Sequence, residues 1–330
     1  MFAALPRVGA APVMHHFTHP AGQSACSADP ARRTIIAHDV DEQAQNLTQW
    51  EQHYDQVTAG RFCGVLDEWR TGDLQIFRER NSCALHQICN VRPDALWFGI
   101  EAEARGMRIN GRQVDADMIM TRPGHHAFEL MTPDQHEILG IVIGRSTLLE
   151  AAEREGRNID IQRLTGAELL HVEHQVLQAC RQRIGELLAS CETENGADQV
   201  VASLIDLLDS SAVDSDTCPS LARRRRIVRE THEYVLGHQG ESVTVPQLCE
   251  QLHVSRRTLQ YCFENVLGLS PMAYLRYLRL NEVRRQLVRG GELRVGDVAA
   301  AWGFRNFSQF SCDYKKLFGE SPSCALKALA

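Results

Sequence analysis

The chain has 330 residues, 44% of them apolar and 23% charged, with a formal net charge of -7. That length suits two domains, the apolar share is enough to bury a sizeable core, and no run approaches the ~20 apolar residues of a membrane-spanning helix. The net charge hides an asymmetry: residues 222–330 hold 17 Lys+Arg against 10 Asp+Glu, a balance of +7, whereas residues 1–221 hold 18 against 32, a balance of -14. A basic C-terminal third is what a phosphate-binding module carries. Eleven cysteines without a C-x-x-C pair read as reduced thiols, and the expected setting is cytoplasmic.

Residues 1–41 are rich in Ala, Pro, Gly, Ser and His and read as a disordered leader, with Met14 as an alternative start and His15, His16 and His19 as parts of a polar tail. Residues 42–209 read as the first of the two folded domains. Leu47–Gln56 has Trp50 and Tyr54 four residues apart and reads as a short amphipathic helix. Seven short apolar runs follow: Phe62–Trp69, Leu74–Glu79, Ala84–Cys89, Leu96–Ile100, Met118–Thr121, Ala127–Met131 and Ile138–Ile143. Turn chemistry between them, at Thr71-Gly72-Asp73, Arg92-Pro93-Asp94, Asn110-Gly111, Pro123-Gly124 and Pro133-Asp134, predicts a small antiparallel barrel or sandwich, cupin-like, whose closed form would hold one small ligand. Asn110-Gly111 predicts a type I′ hairpin, since both central residues need positive φ.

Beyond Gly144 the pattern is helical, over Ser146–Glu155, Ile161–Cys191 and Ala197–Leu208. Leu170, Leu177 and Ile184 recur at seven-residue steps, a stripe that would either join two chains as a homodimer or pack back onto its own barrel. Residues 210–220 are polar and acidic and read as a linker. Residues 221–330 then read as an all-α domain, opened by a helix carrying Arg223–Arg226 and Arg229, which are assigned a role near phosphates.

The C-terminal domain contains one motif twice. Leu248, Val254, Leu259 and Phe263 recur as Val298, Phe304, Phe310 and Tyr314, and Gly268-Leu269-Ser270-Pro271 recurs as Gly319-Glu320-Ser321-Pro322, at offsets of 50 to 51 residues. Each copy reads as a helix, a tight turn and a second helix. Thr244 and Gln247 form a capping box with Pro246 in the first turn, and Ser255 caps the second helix of the first copy. Arg257, Gln260 and Tyr261 point outward from it, and Arg and Gln are the side chains that engage guanine and adenine edges bidentately. Between the copies Pro271–Val288 predicts a helix of roughly 27 Å, the scale needed to place two recognition helices in successive major grooves. Two helix-turn-helix units on a basic domain predict double-stranded DNA as partner.

VAAAWGFRNFSQFSCDYKKLFGESP, with VSRRTLQYCF and GLSP before it, resembles the DNA-binding domain of AraC/XylS-type transcription regulators across about Leu221–Leu326. The resemblance implies a bipartite helix-turn-helix regulator that activates transcription through RNA polymerase, with an N-terminal domain that senses a small molecule or dimerises. Carried over by position, base contacts fall on Arg257, Gln260 and Tyr261 in the first recognition helix and on Phe307, Ser308, Ser311 and Cys312 in the second. Arg256, Arg305, Asn306, Lys315 and Lys316 complete the expected DNA-binding set. Cys312 stands where many relatives have Arg, so the second helix is expected to anchor on the phosphate backbone while the first reads more of the sequence. The turn Leu252-His253-Val254 lacks the glycine common at its centre.

The N-terminal stretches WEQHYDQVTAGRFCG, LQIFRE, LWFGI, TRPG and FELMTPD are similar to those of the ethanolamine-operon regulators of that family. This similarity implies ethanolamine as effector and adenosylcobalamin as co-effector, with no cofactor otherwise required; a regulator of another catabolic operon is the alternative. An ammonium ligand wants a carboxylate and an aromatic wall, and Trp69, Trp97, Phe98 and Glu129 are the residues assigned to it. The cobalamin pattern D-x-H-x-x-G is missed by one residue at Asp134–Gly140 and is taken as coincidence. A reading from another class, a metal-dependent cupin-type enzyme, rests on His125, His126 and Glu129; adjacent histidines on a strand point to opposite faces, which counts against it. No nucleophile elbow, phosphate loop or dinucleotide fingerprint argues for catalysis.

Overall fold

The computed structural model describes residues 31–189, 196–214, 219–290 and 293–327. His15, His16 and His19 lie outside them. The N-terminal part runs β1 (Ala31–Ala37), α1 (Val40–Ala44), β2 (Trp50–Gln56), β3 (Gly64–Thr71), β4 (Leu74–Asn81), β5 (Leu85–Val91), β6 (Ala95–Glu101), β7 (Arg108–Ile109), β8 (Arg112–Gln113), β9 (Met118–Pro123), β10 (Phe128–Thr132) and β11 (His136–Gly144). It continues through α2 (Arg145–Arg154), α3 (Ile161–Gly166), β12 (Leu169–His171), α4 (His174–Ala189), α5 (Gly196–Ser210) and β13 (Ala212–Val213). The C-terminal part is all helical: α6 (Pro219–Gly237), α7 (Val245–Gln251), α8 (Arg256–Leu267), α9 (Pro271–Arg289), α10 (Val295–Ala301), α11 (Phe307–Phe318) and α12 (Pro322–Lys327).

Two antiparallel sheets, ordered β1-β3-β4-β11-β6-β9-β12-β13 and β2-β5-β10-β7-β8, form a sandwich with open edges, the second of the two architectures expected from the turn spacing, and the chain is α+β. Each of the seven apolar runs falls on a strand, three of them starting one or two residues before it. Asn110 and Gly111 carry φ of 51° and 79° between β7 and β8, the positive pair the hairpin demands.

β6 is buried along its whole length because each of its faces meets a core. Trp97 points between the sheets, where Trp50, Phe77 and Phe128 also pack, whereas Leu96, Phe98 and Ile100 meet the helical layer of α2 to α5. Gly99 and Gly140 face each other across β6 and β11, and their missing side chains make room for aromatic rings: a Cβ at Gly140 would lie 2.1 Å from Phe77 and one at Gly99 2.3 Å from Trp97.

Four expectations are corrected. Leu47–Gln56 contains strand β2, because a spacing of four puts Trp50 and Tyr54 on one face at a period of 2 as well as at 3.6. Residues 31–41 of the predicted leader contain β1, paired with β3, and the start of α1, which Asp39 caps. The predicted helix Ile161–Cys191 contains α3, β12 and α4 instead, and its Leu170, Leu177 and Ile184 lie fully buried in the core beneath their own sheet, the second of the two arrangements expected of that stripe. Within the predicted linker, Ala212–Val213 pairs with β12.

The C-terminal domain is built on α9. Tyr274, Leu275 and Leu278 enter one core with α6 and α8, while Leu280, Val283 and Leu287 enter another with α10 and α11. Each recognition helix ends in a left-handed glycine, Gly268 at φ 71° and Gly319 at φ 69°. The two turns match as well: Gly303 has φ 79° and His253, without glycine's freedom, has φ 52°. His253→Gly is therefore expected to stabilise the domain by ~1 kcal/mol and raise its melting temperature by a few degrees. Gly303→Ala should lower it, since a Cβ there would sit 3.0 Å from the Glu241 carbonyl oxygen. Thermal denaturation of both variants checks the pair.

Candidate nucleic-acid interface and effector site

The reading faces of α8 and α11 are uncovered. Arg256, Arg257 and Tyr261 are exposed on α8, and Gln260 is half-buried with its Nε2 donating to Glu264 Oε1 at 2.6 Å. Ser255 begins the helix by accepting from the Thr258 amide at 3.0 Å. On the second copy Arg305, Phe307, Ser308, Ser311, Cys312, Lys315 and Lys316 are all exposed. Asn306, also exposed, caps α11 with its side chain, which accepts from the Gln309 amide at 3.1 Å. Phe307 is 47% exposed and Tyr261 55%, large aromatic surfaces on the outer faces of the two helices.

The arginine run on α6 is mostly a solvated face. Arg226 and Arg229 pair one turn on with Glu230 and Glu233, Arg225 pairs with Glu168 at 3.2 Å, and Arg224 alone reaches a recognition helix. Its guanidinium bonds Asn265 and lies 5.1 Å from the ring centroid of Tyr261. Four of the five arginines of α9 are likewise engaged: Arg279 donates to the Val243 carbonyl at 2.6 Å, Arg276 lies 3.7 Å from Asp313, and Arg284 and Arg285 turn toward the N-terminal domain.

That domain grips the helical module at several points. Asn281 of α9 exchanges two 3.0 Å hydrogen bonds with the backbone of Gln56, accepting from its N–H and donating to its carbonyl. Buried Arg285 donates to Asp55 Oδ1 at 2.7 Å and to Asp41 Oδ1 at 2.8 Å, and Arg284 donates to Asp39 at 2.6 Å. The C-terminal ends of both recognition helices are also held, the Asn265 carbonyl by Arg108 at 2.6 Å and the Leu317 carbonyl by the Gly60 amide at 2.9 Å. Burial alone would raise the Asp55 carboxyl, but Arg285, with His53, holds it well below the usual range. Sequence reasoning missed this interface, although Asn281 and Arg285, one turn apart on the stripe of Tyr274 and Leu278, were its signal.

Trp69, Trp97, Phe98 and Glu129 are not brought together. Trp69 and Phe98 lie in the core beneath the helices, and Trp97 stacks on Phe128 between the sheets with centroids 4.6 Å apart. Glu129 faces the helical module, 3.6 Å from His86. Strand alternation separates them: consecutive Trp97 and Phe98 cannot share a face. The metal reading fares no better, for His125 and His126 are exposed in the loop before β10, and among the described residues no three His, Cys, Asp or Glu side chains are placed to share a metal ion. His136 is buried against Glu101 at 3.2 Å.

Polar side chains do converge between the sheets. Tyr54 Oη donates to Glu79 Oε1 at 3.2 Å, Gln43 Nε2 donates to the same oxygen at 2.9 Å, and Gln52 Nε2 donates to Tyr54 Oη at 2.8 Å. Around them Gln52 Oε1, Gln87 Nε2, Glu101 Oε2 and both amide atoms of Asn81 are buried without a protein partner. Burial pushes the Glu79 carboxyl above its usual range despite the donors from Gln43 and Tyr54. Buried polar atoms without a partner are costly, and a buried carboxyl is costlier still when charged.

Residues 248–328 match the family model described as a helix-turn-helix domain. Among curated proteins, the chain is 36% identical over 105 residues to the probable thc operon regulatory protein of Rhodococcus erythropolis, covering 31% of this chain and 32% of that protein. It is 30% identical over 160 residues to the HTH-type transcriptional activator RhaS of Escherichia coli, covering 46% and 54%. The chain thus spans from about a third to about half of the length of these relatives. Among solved structures, the AraC-like transcriptional activator CuxR aligns over 78% of this chain and 94% of its own at 16% identity and a TM-score of 0.40. Residues 248–328 thus carry a helix-turn-helix domain, and the relatives named are described as regulators of transcription.

One titration tests the boundary between the domains. His232 of α6, bonded to Tyr274 Oη at 2.7 Å, faces His86, Glu129, Asp55 and His53, and burial lowers its pKa to about 4. A neutral folded imidazole loses ground wherever the unfolded chain takes up a proton first, so this contribution to stability is present above about 6.5 and falls as pH drops toward about 4. Melting temperatures over that window should decline on acidification, and His232→Phe should remove part of the slope.

Proposed function

We propose that the chain is a ligand-responsive, sequence-specific transcription activator whose two helix-turn-helix units read successive major grooves on one DNA face. The observation that carries this reading is the pair of matching motifs, each with an uncovered second helix, joined by one helix of 19 residues. At 1.5 Å per residue that helix is ~28 Å long, commensurate with one turn of B-form DNA. Gln260 and Arg257 read base edges from the first unit, and Arg305, Lys315 and Lys316 hold phosphates from the second. Contact with RNA polymerase follows from the resemblance and agrees with the naming of RhaS as an activator. Arg257→Ala or Gln260→Ala should cost ~1 to 3 kcal/mol on the selected site and relax the preference at one base pair, whereas Lys315→Ala should weaken all sequences alike. Competition binding on a randomised duplex library separates the two effects, and equal losses on every sequence would discard the base-reading assignment.

The effector occupies the polar cluster between the sheets. Ethanolamine, which the similarity of the N-terminal stretches suggests, offers an ammonium for Glu79 and a hydroxyl for the surrounding amides, with Tyr54 as aromatic neighbour. Adenosylcobalamin is too large for the ~10 Å between packed sheets and would bind elsewhere. Calorimetric titration of the full chain with ethanolamine, alone and with adenosylcobalamin, is expected to show one saturable site that Glu79→Gln abolishes. No heat, or an unchanged site in Glu79→Gln, would assign the chain to another small effector and another catabolic operon.

A further inference from the structure

The two recognition helices correspond position by position. Each has 12 residues, is capped by the side chain before it, Ser255 or Asn306, and ends on a left-handed glycine, so a constant offset of 51 residues relates α8 to α11. Buried Leu259, Phe263 and Leu267 answer to buried Phe310, Tyr314 and Phe318, which sets both helices at the same rotation on their cores. The outward residues therefore correspond as well: Arg256, Arg257, Gln260 and Tyr261 on α8 stand where Phe307, Ser308, Ser311 and Cys312 stand on α11.

The chemistry of the two faces differs. The first offers two guanidinium groups and an amide, which engage base edges through N–H donors. Of the four corresponding side chains on the second, none is charged or carries an amide, and the largest is the ring of Phe307, at the first helical position and 47% exposed. The neighbouring amide of Gln309 is turned along the helix, where its Nε2 donates to Asp313 Oδ1 at 2.9 Å. Cations stand at the margins: Arg305 precedes the helix, Lys315 and Lys316 lie in its last turn, and all three are exposed. A charged rim around an uncharged centre is complementary to a major groove, whose walls are phosphates and whose floor carries one kind of apolar group, the C5-methyl of thymine.

We infer that the second unit reads thymine through its C5-methyl group, with Phe307 as the specificity-determining side chain. Side chains at the start of a recognition helix reach base edges, and a phenyl ring there gains by covering a methyl and gains nothing from the polar edge of a G·C pair. Ser308 and Ser311 can bond donors and acceptors alike, so they add little discrimination of their own. The inference rests on the DNA-binding reading given above and goes beyond it by giving the second half-site a base preference of its own.

The test uses the full chain and the duplex selected from the randomised library, with thymine replaced by deoxyuridine in the half-site whose protection Lys315→Ala weakens. That change removes the methyl and keeps every base-pairing hydrogen bond. Loss of one covered methyl should weaken binding by the unmodified chain about fourfold, the equivalent of ~0.8 kcal/mol. Phe307→Ala should bind the thymine duplex more weakly and be indifferent to the replacement, whereas Phe307→Leu keeps an apolar side chain and should keep part of the response. If Phe307→Ala does not melt cooperatively, the response of the unmodified chain decides alone. A second half-site without thymine, no response to deoxyuridine there, or the same response in Phe307→Ala as in the unmodified chain overturns the inference while leaving DNA binding intact. Undiminished affinity of Phe307→Ala for the thymine duplex overturns it too, and leaves the ring to a protein partner. Absence of sequence-selective binding by every form removes the DNA-binding reading, and the thymine preference with it.

Discussion

The guanidinium of Arg285 is the interaction on which the rest of this molecule turns. Burying a charge is costly unless it is paired and its donors are used, and this one meets Asp55, Asp41, Glu282 and the Tyr54 carbonyl at once. Burial would lower its pKa, yet the surrounding carboxylates hold it above the ordinary value, so the side chain stays charged. Losing one member of such a buried set typically costs ~3 to 5 kcal/mol, because the remaining charge is left uncompensated. A single side chain thus ties the edge of the sandwich to the helix that both helix-turn-helix units share.

That helix has three obligations. Its first half completes the core of one helix-turn-helix unit, its second half completes the core of the other, and a polar stripe between them faces the sandwich. The duplication makes the first two obligations nearly equivalent: both recognition helices end in a left-handed glycine followed by Ser and Pro, and both turns need a residue of positive φ. The copies differ in detail where function would separate them. The first carries Arg256, Arg257 and Gln260 on its open face, while the second carries Ser308, Ser311 and Cys312 flanked by Lys315 and Lys316.

Much of this architecture was legible in the sequence, because it rests on local periodicity and turn chemistry. The Asn110-Gly111 hairpin, the seven strands and the capped helices each follow from a pattern a few residues long. The failures have physical causes of their own. Trp50 and Tyr54 satisfy a helical and an extended period equally, so only the pairing of β2 with β5 decides between them. The Leu177 and Ile184 stripe records that a face is buried without recording by what. Trp69, Trp97, Phe98 and Glu129 have the right chemistry for an amine, but strand alternation sends them into three different environments, and the polar cluster around Glu79 depends on pairings between distant strands. Arg284 and Arg285 look like solvent-facing cations in sequence, since nothing local announces that Asp39, Asp41 and Asp55 lie opposite them.

If one rigid connecting helix sets two recognition helices for two adjacent grooves, hydroxyl-radical footprinting on the selected duplex should show two protected patches on the same face of the DNA, their centres ~10 base pairs apart. Protection at the first should be lost in Arg257→Ala and at the second weakened in Lys315→Ala. A single protected patch, or two on opposite faces of the duplex, would contradict it.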